Sequence, residues 1–238
     1  MKAFRAMLAT EAKLALRGGD MPIFGIAFPL GVMLLIGAIS PHEATKLAFA
    51  GVAATGICAS GLMGLPLTLA GYRHAKILRR FQVTPASPFL LLLAVSSVQA
   101  VFAALSWLAV FLAAKLAYGV ALEGSALRMC LTFAFSLISI FSIGYLVASL
   151  APNERIANLT CSVLYFPALF LSGTTVPYEI LPKGVRLFSD LFPITQAIKL
   201  LKGAVLGAPL APDLWRFAAL GAMAIACCAI SVLSFRWE

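Results

Sequence analysis

Few residues in this chain are equipped for covalent chemistry, and those few do not stand together. The two histidines, His42 and His74, are isolated from each other. The five cysteines (Cys58, Cys130, Cys161, Cys227 and Cys228) lie inside apolar runs without a CxxC spacing, and read as small packing residues. No GxxxxGK[ST], HExxH or GxSxG occurs, so no P-loop, metalloprotease helix or nucleophile elbow is encoded. No catalytic residue and no metal site is expected. One cluster does have a readable physical use. The stretch YRHAKILRRFQVTPASP, residues 72–88, gathers Arg73, Lys76, Arg79 and Arg80. Arg73, Lys76 and Arg80 fall at i, i+3 and i+7 of a short helix, with Ile77, Leu78 and Phe81 as an apolar side. Thr84-Pro85 ends that helix, because the residue before a proline is pushed out of the α region. Two readings stand on these residues: a docking knob for a soluble partner, or a cationic loop that only fixes topology beside a membrane.

Composition says what must position that cluster. The 238 residues are 62% hydrophobic and 11% charged, with a mean hydropathy of +1.00. A soluble domain carries about 25% charged residues, so too few polar side chains are present to cover a water-facing surface. The net charge of +9 does not point to nucleic acid, because the basic residues sit between apolar runs and not along one stripe. Six runs, at 22–40, 47–71, 89–115, 129–150, 157–173 and 214–234, have the length and apolarity of bilayer-crossing helices. Their interiors hold no Asp, Glu, Lys, Arg or His, which matters because a mid-bilayer charge costs roughly 2.5–3.5 kcal/mol to insert. The expectation is an all-α integral membrane protein of six transmembrane helices, folded as one domain over 1–238. The first run is long and lacks a small-residue cleavage site after it, so it reads as a retained helix and not a signal peptide.

Hydroxyls and amides do occur inside the runs: Thr55, Ser60, Thr68, Ser96, Ser97, Gln99, Ser136, Ser139, Ser142, Tyr145 and Tyr165. They are expected to bond to their own helix or to a neighbouring one. Gly56, Ser60 and Gly64 recur four apart in the second run, a spacing that lets two helices approach closely. On the fifth run Asn158, Ser162, Tyr165, Phe166 and Leu169 recur at helical spacing, as contacts to a transported molecule or as ordinary packing residues.

Three further features lie outside the runs. Residues 1–20 read as a helix on the membrane surface, with Phe4, Met7, Leu8, Leu14 and Ala15 on one face and Lys2, Arg5, Lys13 and Arg17 on the other. Glu11 breaks this pattern by falling midway on the apolar face. Between the fifth and sixth runs, residues 174–213 hold Pro177, Pro182 and Pro193, which exclude one continuous helix. The segment is nevertheless apolar, as suits short helices that dip into the outer leaflet while buried in protein. Basic residues set the orientation. Lys2, Arg5, Lys13, Arg17, Arg73, Lys76, Arg79, Arg80, Arg155 and Arg236 share one side, against Lys46, Lys115, Arg128, Lys183, Arg186, Lys199, Lys202 and Arg216 on the other. Five of the latter belong to or border the long segment, and long loops weigh little, so both termini are expected in the cytoplasm.

On these motifs the chain resembles the type-2 ABC transporter permeases, the membrane subunits of many bacterial exporters, over essentially its whole length. The likeness is strongest in GYLVASLAPNERIANLTCSVLYFPALFLSG at 144–173, then in VPYEILP and PITQAIKLLKGAVLG, up to Gly207. It maps to Phe166, Pro167, Ser172, Gly173, Pro177, Glu179, Pro182, Pro193 and Thr195, and ILRRFQVTP at 77–85 is similar to the family's cytoplasmic segment ending in Thr-Pro. Where the family often carries an acidic residue and a glycine before that Thr-Pro, this chain has His74 or Arg79, and Lys76. Where an arginine often closes the PITQAIKLLK stretch it has Lys202.

The resemblance implies a bacterial plasma-membrane permease without its own ATPase site. A second permease copy, identical or closely related, would pair with it, and a separate ABC ATP-binding subunit would hold ATP and magnesium. Residues 72–88 would be the coupling segment, with Arg73, Lys76, Ile77, Arg79, Arg80, Phe81, Thr84 and Pro85 meeting that subunit. Residues 1–20 would be an elbow helix. The second and fifth runs would line the path of the transported molecule, through Gly56, Ser60, Gly64, Asn158, Ser162, Tyr165, Phe166 and Leu169. Residues 174–213 would form an external gate around Gly173, Pro177, Glu179, Pro182, Pro193 and Thr195. An uncharged, aromatic-bearing path fits a hydrophobic drug, antibiotic or lipid-like cargo. The alternatives are a polysaccharide exporter, an ATP-independent carrier or channel, and a non-transporting membrane anchor. The missing intramembrane charges weigh against an ion-coupled carrier.

Overall fold

The structure, a computed structural model, describes residues 2–77, 88–120, 123–171 and 182–234. Helix α1 spans Lys2–Gly18. Helix α2 opens with a wide π-helical turn, Met21–Ala27, and continues as Phe28–Ile39. Helix α3 runs His42–Cys58, passes a second π turn at Ala59–Gly64 and ends as Leu65–His74. Helices α4 (Pro88–Tyr118), α5 (Ala126–Leu150) and α6 (Glu154–Leu171) follow. The short α7 (Lys183–Asp190) and α8 (Pro193–Val205) lead through a 3-10 turn, Ala211–Asp213, into α9 (Leu214–Ser234). No strand occurs among the described residues.

Five segments are long and apolar enough to cross a membrane: Met21–Ile39, Ala44–His74, Phe89–Tyr118, Ala126–Leu150 and Ala211–Ser234. The remaining expected run falls in α6. Its described part opens on Glu154 and Arg155, carries Asn158 and the internal Pro167, and does not reach that standard.

The prolines explain the two wide turns. A proline inside a helix has no N–H for the carbonyl four residues back, and its ring collides with that carbonyl. Pro29 and Pro66 are each the second residue after a π turn, where the widened backbone makes room for the ring. The first turn packs against α3 just ahead of the second, with the Gly25 carbonyl oxygen close to Gly56.

Helix α3 is the axis of the bundle. Phe49, Val52, Ala53, Ala54, Ile57, Leu62, Leu65 and Leu69 are all buried, because Ala and Gly along this helix let neighbours close in from several sides. The tightest crossing is with α5, where a Cβ at Gly144 would overlap the Gly61 carbonyl oxygen and one at Gly61 would lie 2.9 Å from Ile140 Cγ2. Trp107 stacks on Phe111 at 5.7 Å between ring centroids and touches Phe133 at 5.5 Å, filling the space between α4 and α5. On the far side of α5, Phe135 meets Phe217 of α9 at 5.1 Å.

Polar contacts pin the two ends of the bundle. At one end the Lys46 ammonium pairs with Glu123, and the Glu123 and Gly124 N–H groups both donate to the Val205 carbonyl at 3.2 Å. Buried Asp213 receives Arg128 at 3.5 Å and Arg216. At the other end Arg73 donates to the Ala148 and Ala151 carbonyls at 2.7 and 2.5 Å. These carbonyls lie at the C-terminus of α5, where the helix leaves acceptors unmatched and the dipole favours a cation.

Candidate functional site

A cavity of about 470 Å³ opens between α1, α2, α3, α4 and α6. Along α3 it follows Ala59, Met63, Gly64, Leu67, Thr68 and Tyr72, a length of about 20 Å at 1.5 Å per residue. Both π turns contribute wall, through Met21 and Phe24 on α2 and Ala59, Met63 and Gly64 on α3. Helix α6 adds Asn158, Tyr165, Phe166 and Leu169, and α4 adds Val95, Val98 and Gln99.

The cavity gathers five residues expected on a transport path: Gly64, Asn158, Tyr165, Phe166 and Leu169. It does not gather the other three. Gly56 sits against α4, where a Cβ would strike the Ser106 hydroxyl, Ser60 is fully buried, and Ser162 donates to Asn158 Oδ1 at 3.3 Å outside the lining. Gly64 also faces α4, against the Gln99 amide.

Glu11 accounts for its own misfit on the amphipathic α1. Its carboxylate is buried and accepts the Tyr72 hydroxyl at 2.7 Å on each oxygen, tying α1 to the end of α3. Burial pushes the carboxyl up from its ordinary value, while the Tyr72 hydrogen bond pulls it back in part. Among the described residues no lysine or arginine pairs with it.

Most intramembrane hydroxyls bond as expected. Thr68 donates to the Gly64 carbonyl at 2.7 Å, Ser96 to Leu92 at 2.8 Å, Ser97 to Leu93 at 2.7 Å and Ser139 to Phe135 at 2.9 Å, and Tyr145 meets Ser96 across α4 and α5. Among the described residues, four of the polar groups expected to bond have a buried atom without a partner: the Ser60, Ser136 and Tyr165 hydroxyls and the Gln99 amide oxygen. Of these, Tyr165 and Gln99 belong to the cavity wall.

The cationic cluster differs from its expected form. Tyr72, Arg73 and His74 are the last turn of α3, and the helix stops there. Ala75 and Lys76 form a turn in which Lys76 has a φ of 55°, a left-handed conformation that a side chain seldom adopts. Arg73 and Lys76 are therefore not consecutive ridges of one short helix. Arg73 is engaged on α5, whereas Lys76 is exposed. Ile77 is partly buried against Leu65, Leu69 and their neighbours. Arg79, Arg80, Phe81, Thr84 and Pro85 lie outside the described residues, as do Gly173, Pro177 and Glu179 of the external segment.

In the rest of that segment the prolines act as helix starters. Pro182 precedes the first residue of α7, and Pro193 is the first residue of α8, where a missing N–H costs nothing. The buried Thr195 hydroxyl meets Ser189 at 3.2 Å, and Gln196 donates to the Asp190 carbonyl at 2.6 Å, so the two short helices are held as one elbow. Helix α8 packs Ile194, Ala197, Ile198 and Leu201 into the same core as α3.

The described residues form an apolar helical bundle with a cavity along α3. The ABC-2 type transporter family model matches residues 2–206. The chain belongs to that family and is the permease subunit of an ABC transporter, a multi-pass membrane protein whose family works with an ATP-binding subunit. No curated protein and no solved structure matches it.

Proposed function

We propose that the chain is an exporter permease. It would move a hydrophobic or amphipathic molecule outward across the plasma membrane, powered by ATP hydrolysed on a separate subunit with magnesium. The observation that carries this reading is the position of the cavity. Its floor, at Tyr72 and Asn158, lies at the same end of the bundle as the exposed turn at Lys76, which is where an ATP-driven partner would push. A movement of the 72–88 segment would be passed to the cavity wall through α3 and, by way of Arg73, to α5. The energy enters as a shift between two packings of the bundle, and only the partner's differential affinity for the two can supply it.

The remaining topology follows from that reading. The sixth span is α6, and the termini face the cytoplasm. The opposite face carries eight basic residues, of which Lys46, Arg128, Lys199 and Arg216 are held in ion pairs with Glu123, Asp213 and Asp190. Residues 174–213, including α7 and α8, form the external gate. A second copy would meet the exposed apolar stripe of Leu159, Val163, Phe166 and Phe170 on α6.

The test is a triple substitution, Lys76→Ala with Arg79→Ala and Arg80→Ala, in vesicles holding the permease and its ATP-binding subunit. Arg73 is left intact because it holds α5. Binding of the subunit and ATP-dependent efflux should both fall at least about tenfold, with membrane insertion unchanged. Unaltered efflux would remove the coupling role.

A further inference from the structure

The cavity wall has a charge pattern that the chain as a whole does not. On a chain of net charge +9, the described residues of the lining include no lysine, arginine or histidine, and they include two carboxylates, Glu11 and Asp20. Both sit at its inner end, on α1 and at the start of α2. Above them the wall is aromatic and aliphatic, with Phe24, Phe28, Tyr165 and Phe166 among its rings. Aromatic faces carry negative electrostatic potential and attract cations at close range.

A second observation is independent of the carboxylates. The Gln99 amide oxygen and the Tyr165 hydroxyl belong to wall residues only 3% and 5% exposed, and neither has a partner. A buried, unsatisfied polar atom costs about 1–3 kcal/mol, and in a site built to bind, the ligand removes that cost. Each of these two oxygens offers lone pairs to an electropositive group.

We propose that the cavity binds a lipophilic organic cation, its charge held toward Glu11 and Asp20 and its apolar body against the rings of α2 and α6. This rests on the exporter reading and narrows it to one class of cargo. A lipophilic anion of the same shape would meet two carboxylates with no compensating cation among the described residues. A neutral polysaccharide would find an apolar wall with too few polar partners. Burial disfavours the Glu11 carboxylate, the Tyr72 hydrogen bond offsets this in part, and a cation entering beside it would favour the ionised form further.

The experiment compares two rigid ions of the same shape, tetraphenylphosphonium and tetraphenylborate. Binding of each to the purified full-length chain is measured by equilibrium dialysis in neutral detergent, with empty micelles subtracted. The phosphonium should bind and the borate should not compete with it. Glu11→Gln, which keeps an acceptor for the Tyr72 hydroxyl, and Asp20→Asn should each weaken phosphonium binding, and the pair together should do so at least about tenfold. Equal binding of the borate, or phosphonium binding unchanged in the double variant, would overturn the proposal. Should Glu11→Gln fail to fold, Asp20→Asn alone decides, because Asp20 is exposed and its loss costs no packing. The two readings fail separately. ATP-dependent export of a neutral or anionic molecule by the assembled complex would sink the cation and leave the exporter. Cation binding with no ATP-dependent efflux would do the reverse.

Discussion

Glu11 is a carboxyl raised by burial, and the sign of its pH dependence follows from that. A group whose folded pKa lies above its unfolded value adds no penalty below the ordinary value of 4.5 and destabilises the fold as pH rises through the folded value. Glu11→Gln should therefore unfold at a higher temperature than the parent chain at pH 7, with the advantage vanishing below pH 4.5; thermal melts in detergent across that range check it. Arg73 works in the other direction. Arg73→Ala removes two charge-assisted bonds to the end of α5, and should cost about 2 kcal/mol, whereas Lys76→Ala, on an exposed side chain, should change stability by less than about 0.5 kcal/mol. Denaturant unfolding of the two variants separates them. Both residues show what a sequence can and cannot give. Spacing groups Arg73 with Lys76, but the partners of Arg73 lie 75 and 78 residues away, and no local pattern records them. Glu11 did leave a trace, as the one charge on an apolar face, and Gln99 left another, as an amide inside an apolar run. Their common address on one cavity is a property of the packed helices.

At the level of helices, the apolar runs were legible because a bilayer demands length and apolarity that little else produces. Five of the six appear as spans, each within a few residues of its expected limits. The prolines of the external segment were equally plain, since a missing N–H has the same consequence in any fold, and Pro182 and Pro193 start helices as that logic requires. Which faces meet was less accessible. The Gly56, Ser60, Gly64 spacing does mark close packing, with α4, yet the tightest approach uses Gly61 on a neighbouring face and Gly144 on α5. A small residue shows where a helix permits contact, and the partner depends on the whole bundle. Gly144→Ala should destabilise the chain by about 1–3 kcal/mol, because its methyl would have to displace backbone. Gly71→Ala, with nothing within 4 Å, should be neutral or stabilising by up to about 1 kcal/mol through helix propensity. Unfolding in detergent distinguishes the two, and equal effects would mean that α3 and α5 do not cross as described.

For the molecule as a whole, the proposed reading makes the chain a path and a lever, and the family to which it belongs works with a separate ATP-binding subunit. The cavity runs alongside α3, α3 ends at the exposed turn, and Arg73 joins that end to α5, so a push at one end would reach both the wall and the neighbouring span. Such an arrangement works only if the partner's ATP cycle favours two packings in turn. The most direct measurement is efflux of tetraphenylphosphonium from vesicles holding the permease alone, the ATP-binding subunit alone, or both. Efflux is expected only with both subunits and ATP, and is expected to stop when the P-loop lysine of the ATP-binding subunit is replaced. Steady efflux by the permease alone, without ATP and abolished by an ionophore, would contradict it.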